Sequence, residues 1–200
     1  IEDAAHAAGA NINEIQAGNL GDIACFSFFA TKNMTTGEGG MITTNNSKLA
    51  YLCSGIRDRG RDSDSAQEQF NLIGSNYRMT EFQAILGLSQ LNKLDKFIQH
   101  RNQLAKTYKK ELETLTTNGD ITLQNSGKNT LHAYWRFVIN IKNGHSREKL
   151  KNDLKKSSIN IDWPYSPQVH LQPVFKKLYG NDSGMLKRTE KLTPWKIYFR

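Results

Sequence analysis

The sequence predicts an α/β chain in two parts that meet inside a long helix. Three observations carry this. The run DIACFSFFA (22–30) is apolar, with aromatic and β-branched residues but no clean alternation, as expected for a strand covered on both faces. From Thr80, apolar residues recur at helical spacing and the pattern fades near Leu115. In the last part, a strand, a helix and a strand follow one another, the order of a small α+β domain. The division is placed at 104/105, leaving residues 1–104 as the first domain and 105–200 as a small α+β one.

Each element has its own local reason. In EDAAHAAGA (2–10), Asp3 stands where an N-cap would start a short helix, and His6 shares its face. DIACFSFFA reads as a strand, with Cys25 inside it as a small buried hydrophobe. GGMITTN (39–45) reads as a second short strand. NNSKLAYLCSGIRDRG (45–60) reads as a helix, capped by Asn46 or Ser47 and stopped by Gly60. A polar loop follows. Thr80 and Gln83 have capping-box spacing at the head of the long helix, whose apolar face is Phe82, Leu86, Leu91, Leu94 and Ile98. HAYWRFVINI (132–141) reads as a strand, SREKLKNDLKKS (146–157) as a helix capped by Ser146, and INIDWPY (159–165) as a strand running into a loop. All four prolines (Pro164, Pro167, Pro173, Pro194) lie in the last forty residues, so the tail reads as turn-rich.

Charge divides the chain unevenly. Residues 1–100 carry 8 Lys+Arg against 11 Asp+Glu, and residues 101–200 carry 19 against 8. The basic half has no RNP-like aromatics and no zinc-ligand spacing, so its lysines read as solvated helix faces rather than a nucleic-acid surface. No apolar stretch is long enough to cross a bilayer. The two cysteines, Cys25 and Cys53, show neither metal spacing nor a disulfide framework, which fits a reducing, cytoplasmic setting.

Lys32 is the residue that asks for an explanation. It ends an apolar run and is followed by TTGEGG, a glycine-rich turn that lets backbone approach a ligand closely. A lysine at a strand end is most often a plain surface residue. One held against apolar surroundings loses hydration, favours its neutral amine and can form a Schiff base with a carbonyl. A Walker-type phosphate loop is excluded, because no glycine stands at the required distance before a Gly-Lys pair.

Three segments, EDAAHAAGA, GDIACFSFFATKNMTTGEGGM (21–41) and SNYRMTEFQAILGLSQLNKLD (75–95), stand in the order and at the distances of a known family. Together they resemble the DegT/DnrJ/EryC1/StrS family, pyridoxal-phosphate (PLP) sugar aminotransferases of the aspartate-aminotransferase superfamily, with weaker likeness continuing into HAYWRFVINI and PYSPQVHLQPVFKKLYG (164–180). The resemblance implies fold type I: the C-terminal portion of a PLP-binding large domain with a mixed, mostly parallel sheet, then a small α+β domain. Lys32 resembles the lysine that joins PLP covalently, and Asp3 the carboxylate that pairs with the pyridine nitrogen. His6 resembles the residue that hydrogen-bonds the phenolic oxygen, and Ser27 a phosphate ligand. Asn76 resembles the asparagine that reaches the cofactor phosphate of the neighbouring subunit. Arg78 reads as a structural ion pair at a helix start. Tyr165, His170 and Gln172 fall in a region that approaches the sugar-nucleotide site.

The resemblance therefore implies transfer of an amino group from an amino acid, usually glutamate, to a keto-sugar nucleotide, in a cytoplasmic homodimer with a shared active site, in amino-sugar and polysaccharide biosynthesis, with neither nucleic acid nor membrane as partner. A sugar dehydratase of the same family would carry histidine at position 32. A non-catalytic binding or regulatory protein that kept the fold is the reading from another class, and a basic nucleic-acid binder the third. Three departures qualify the likeness. Gly74-Ser75 precedes Asn76 where Gly-Tyr is usual. RTEKLTPWKIYFR (188–200) lacks the usual Leu-Pro-rich close. The long first part of the large domain is expected ahead of Ile1, so residues 1–200 alone are expected to be inactive.

Overall fold

The computed structural model describes residues 1–62, 64–65, 67–142, 146–163 and 165–199; Pro164, which the sequence reading placed after a strand, lies outside them. In chain order the first elements are β1 (Glu2–Asp3), β2 (Asn11–Ile12), β3 (Ile15–Gln16), β4 (Ala24–Ser27), β5 (Gly40–Thr43), α1 (Ser47–Arg57), α2 (Glu81–Leu91) and α3 (Leu94–Glu111). They are followed by α4 (Glu113–Thr117), β6 (Ile121–Leu123), β7 (Thr130–Leu131), β8 (Val138–Ile141), α5 (Arg147–Lys156), β9 (Ile161–Asp162), α6 (Pro173–Tyr179), α7 (Lys187–Leu192) and β10 (Lys196–Phe199). Residues 1–104 with 126–135 form one compact unit, and residues 105–125 with 136–200 a second.

In the first unit, β4 is the middle strand of a mixed sheet, parallel to β1 and antiparallel to β5. Successive side chains of a strand point to opposite faces. Ala24 and Phe28 are accordingly buried while Cys25 and Phe29 are exposed. The expectation of a strand covered on both faces, with Cys25 inside, is corrected: the strand alternates, and Cys25 stands on the outward face. The core gathers Phe28, Met34, Leu94, Ile98 and Ala133, with Ala8, Ala10, Phe26 and Met79 packed against it. β2 pairs with β3 and with β7, in which Leu131 lies 120 residues beyond its partner Asn11.

Local capping works as the side-chain chemistry demands. Asn46 accepts from the Leu49 amide at the start of α1. Thr80 and Gln83 close a full capping box at α2. Two helical expectations are corrected. EDAAHAAGA is no helix but a short strand and two turns, because pairing with β4 holds Glu2 and Asp3 extended. Gly9 then takes a left-handed φ of 83°, where a Cβ would meet Ile98. The long helix is three helices. It breaks at Asn92 and Lys93, where the Lys93 amide bonds the Gln90 carbonyl three residues back, and again at Leu112. Leu94 and Ile98 reach the core, whereas Phe82 is 88% exposed and Leu86 and Leu91 stand outward with it.

The second unit is built on an antiparallel sheet in the order β6-β8-β10-β9. Ile121, Ile139, Ile141, Ile161 and Ile197 are buried on it. Tyr108 of α3 packs against the rings of Phe137 and Phe199 at 5.1 and 5.0 Å. Ser146 caps α5 by accepting from the Lys149 amide. The tail is less turn-rich than its prolines suggest: Lys196–Phe199 is an interior strand, bonded on both sides. HAYWRFVINI is strand only from Val138, because Tyr134 sits at a φ of 41° and its amide bonds His132 Nδ1.

Candidate active site around Lys32

The chemistry begins where β1 and β4 end. Parallel register puts Asp3 beside Cys25, so Asp3 and Ser27 both lie toward the carboxyl ends of neighbouring parallel strands. In open α/β sheets that end is where ligands bind. The Asp3 carboxylate accepts from the Ala5 amide at 3.1 Å and remains exposed. Ser27 Oγ accepts from the Phe29 amide at 3.4 Å. β1 itself is anchored by Glu2, whose carboxylate takes the Gly18 and Leu20 amides.

Lys32 sits in the loop between β4 and β5, and Phe28 closes both ends of that loop. The Phe28 carbonyl accepts from the Thr36 amide and from Thr35 Oγ1, while its amide donates to Gly39. Inside the loop the Lys32 amide bonds the Phe29 carbonyl at 2.9 Å. Thr36 Oγ1 donates to the Glu38 carbonyl, and so does Gln83 Nε2 of the α2 capping box. The Thr/Gly composition thus serves a tight loop stitched by its own hydroxyls.

A segment from far along the chain completes the place. Trp135 Nε1 donates to the Thr31 carbonyl at 2.7 Å, and Asn33 Nδ2 to the Ala133 carbonyl at 2.9 Å. The Lys32 ammonium stands 4.3 Å from the centroid of the Trp135 ring, and His6 stacks on the same ring at 3.8 Å. Residues 132–135 are held in turn by α3. Arg101 donates to the Tyr134 carbonyl at 2.9 Å and Asn102 to the His132 carbonyl at 2.9 Å. Burial pushes the Arg101 pKa down from its usual value, and the carbonyls it bonds replace part of its lost hydration.

Among the residues singled out in the sequence, then, β-pairing brings Asp3 and Ser27 to one end of the sheet, and His6 and Lys32 each contact the Trp135 ring. His6 reaches Trp135 from a turn rather than along a helix with Asp3. Asn76 is engaged elsewhere in the same unit: it bridges Asp58, and its Oδ1 accepts from Arg78 Nε at 2.9 Å. Arg78 also pairs with Asp58 at 3.4 Å. Arg59 and Arg78 hold the Asp58 carboxyl below the usual carboxylate range, the Arg59 hydrogen bond being the larger cause. In the second unit, His170 Nε2 lies 2.9 Å from Glu190, Gln172 donates to the Pro167 carbonyl, and Tyr165 is exposed. Trp135, Asn33, Arg101 and Asn102 were missed. Arg101 had a signal: it falls between Ile98 and Ala105 on the buried face of α3, where a charge needs a reason.

A family model covers residues 1–198, and its description is the DegT/DnrJ/EryC1/StrS aminotransferase family. The chain belongs to this family. GDP-perosamine synthase of Escherichia coli O157:H7 is 36% identical over 179 residues, which is 90% of this chain and 47% of that protein. Among solved structures, an aminotransferase from Psychrobacter cryohalolentis superimposes with a TM-score of 0.89 at 24% identity, over 100% of this chain and 55% of that one, and speaks for the fold. Helicobacter pylori PseC, an aminotransferase involved in the biosynthesis of pseudoaminic acid, gives a TM-score of 0.83 at 28% identity, over 98% of this chain and 52% of that one. The chain spans about half the length of the relatives it matches. The DegT/DnrJ/EryC1/StrS aminotransferases are PLP-dependent. The groups present fit that cofactor chemically: a carboxylate for a ring nitrogen, a hydroxyl for a phosphate and an amine for an aldehyde, all on one sheet end and the loop after it.

Proposed function

We propose that the protein is a PLP-dependent aminotransferase that moves an amino group from an amino acid, glutamate in the first instance, to a keto-sugar nucleotide in amino-sugar biosynthesis. The observation that carries the reading is Lys32 in the closed loop beyond β4, next to the sheet end that bears Asp3 and Ser27, in a chain matched over nearly its whole length by an aminotransferase family.

Lys32 Nζ would hold the cofactor, Asp3 and Ser27 would meet its ring nitrogen and phosphate, and His6 its ring oxygen. When bound, PLP supplies a ring that accepts the electron pair left at a substrate carbon. Asp3 would keep a proton on the ring nitrogen by charge. Once the donor amine takes its place, Lys32 Nζ would be free to take the proton from the donor carbon in one half of the reaction and to deliver a proton to the acceptor carbon in the other. Asn76 is assigned to the cofactor phosphate of a neighbouring subunit in a homodimer. Residues 1–104 are assigned to cofactor binding and 105–200 to the small domain, except that 126–135, with Trp135, fold as part of the first unit. The proposed setting is cytoplasmic.

The test is borohydride reduction of the PLP-treated protein, followed by peptide mapping. The pyridoxyl group is expected on Lys32 and absent from Lys32→Ala. Labelling at another lysine overturns the assignment.

A further inference from the structure

Trp135 belongs to a stretch that reads as a plain strand, yet its ring contacts both His6 and Lys32. One edge of the indole is anchored by its N–H to the Thr31 carbonyl, the residue just before Lys32. The His6 imidazole is stacked at 3.8 Å with planes 24° apart, and the Lys32 ammonium stands 4.3 Å from the ring centroid. An ammonium over an indole face is attracted by the negative face of the π system, more strongly than over a phenyl ring. The anchor is itself fixed, since Arg101 donates to both the Tyr134 and Trp135 carbonyls and Asn33 to Ala133. A flexible four-carbon side chain beside a rigid, hydrogen-bonded ring has its head group set by that ring.

We propose that Trp135 is a positioning residue for Lys32: its indole face sets where the ammonium rests, and the same ring carries the stacked His6. The functional value of this rests on Lys32 being the amine that takes the cofactor, but the positioning itself can be measured without any cofactor.

The experiment is trace labelling of the protein with acetic anhydride, mapped lysine by lysine. Exposed Lys48 serves as internal reference. Trp135→Leu removes the π face, and Lys32 is expected to label about two- to fivefold faster relative to Lys48, the size of one cation–π contact at a partly exposed site. Trp135→Phe keeps a π face but not the N–H, and is expected to stay nearer to the wild-type rate. A ring that merely fills space would let Leu and Phe behave alike, and that result overturns the proposal, as does an unchanged Lys32 rate in Trp135→Leu. Should Trp135→Leu unfold, its circular dichroism collapses and partly buried lysines other than Lys32 also rise relative to Lys48. Trp135→Met, flexible and lacking a π face, then replaces it and is expected to show the same selective rise. Borohydride mapping of PLP on the wild-type protein is a separate arm. Label away from Lys32 there removes the cofactor reading and leaves the labelling comparison to decide the role of Trp135.

Discussion

The side-chain amide of Asn33 donates to the carbonyl of Ala133 at 2.9 Å, joining the Lys32 loop to a segment one hundred residues away. Asn33 is 6% exposed, and its Oδ1 finds no hydrogen-bond partner among the described residues. Asn33→Ala should therefore leave the Ala133 carbonyl unpaired and cost about 1–3 kcal/mol. Asn33→Asp should cost more, because it sets a carboxylate against a carbonyl oxygen in a buried place. Urea unfolding measures both. An Asp variant as stable as the parent would show that this bond does not hold the loop.

Asp3→Asn should leave the cofactor bound but slow its chemistry. An amide cannot hold a proton on the ring nitrogen by charge, so the electron pair at the substrate carbon is less well accepted. The loss expected is about a hundredfold in turnover, the scale of removing one charge-stabilising contact. Steady-state rates on the whole protein decide it, and near-normal turnover would remove Asp3 from the mechanism.

Gly60 is at a φ of 90°, and its amide bonds the Gly55 carbonyl at 2.7 Å to end α1. A Cβ there would run into the Leu72 carbonyl oxygen. Gly60→Ala should destabilise the first unit by about 1–3 kcal/mol, since both the backbone conformation and the close approach exclude a side chain. The urea midpoint should fall while Arg61→Ala, next in sequence and exposed, stays close to the parent.

Glu190 ties the turn before α7 by accepting from the Gly184 and Leu186 amides and pairing with His170. The Gly184 hydrogen bond first, then His170, hold its carboxyl below the ordinary value of 4.5. Desolvation of the carboxylate acts in the opposite sense, and the Leu186 amide adds to the lowering. A carboxylate whose folded pKa is depressed contributes stability above the unfolded value and loses it as pH falls through the folded one. Exchange of the Gly184 and Leu186 amides, scaled to intrinsic rates, should thus be slow at neutral pH and speed up below 4.5. In Glu190→Gln the profile should be flat, and a parent profile equally flat would refute the tie.

Features determined by neighbours in sequence were legible from the sequence alone. The Asn46, Thr80–Gln83 and Ser146 caps each involve a side chain and an amide three residues away, so the residue types and their spacing fully specify them. The loop after β4 was legible as a Thr/Gly turn for the same reason, and Lys32 with it. What only the tertiary structure decided was which partners come from far away. Pairing with β4 turned EDAAHAAGA from a helix into a strand and turns, and Lys196–Phe199 became an interior strand because β8 and β9 lie ready on either side of it. Trp135 lies 103 residues from Lys32 in sequence, and no periodicity relates them. The meeting depends on Tyr134 turning the backbone and on Arg101 and Asn102 holding His132 to Trp135 against α3. Local propensity fixes dihedral angles over a few residues, whereas a contact across a hundred is selected by the burial and hydrogen bonding of the whole core.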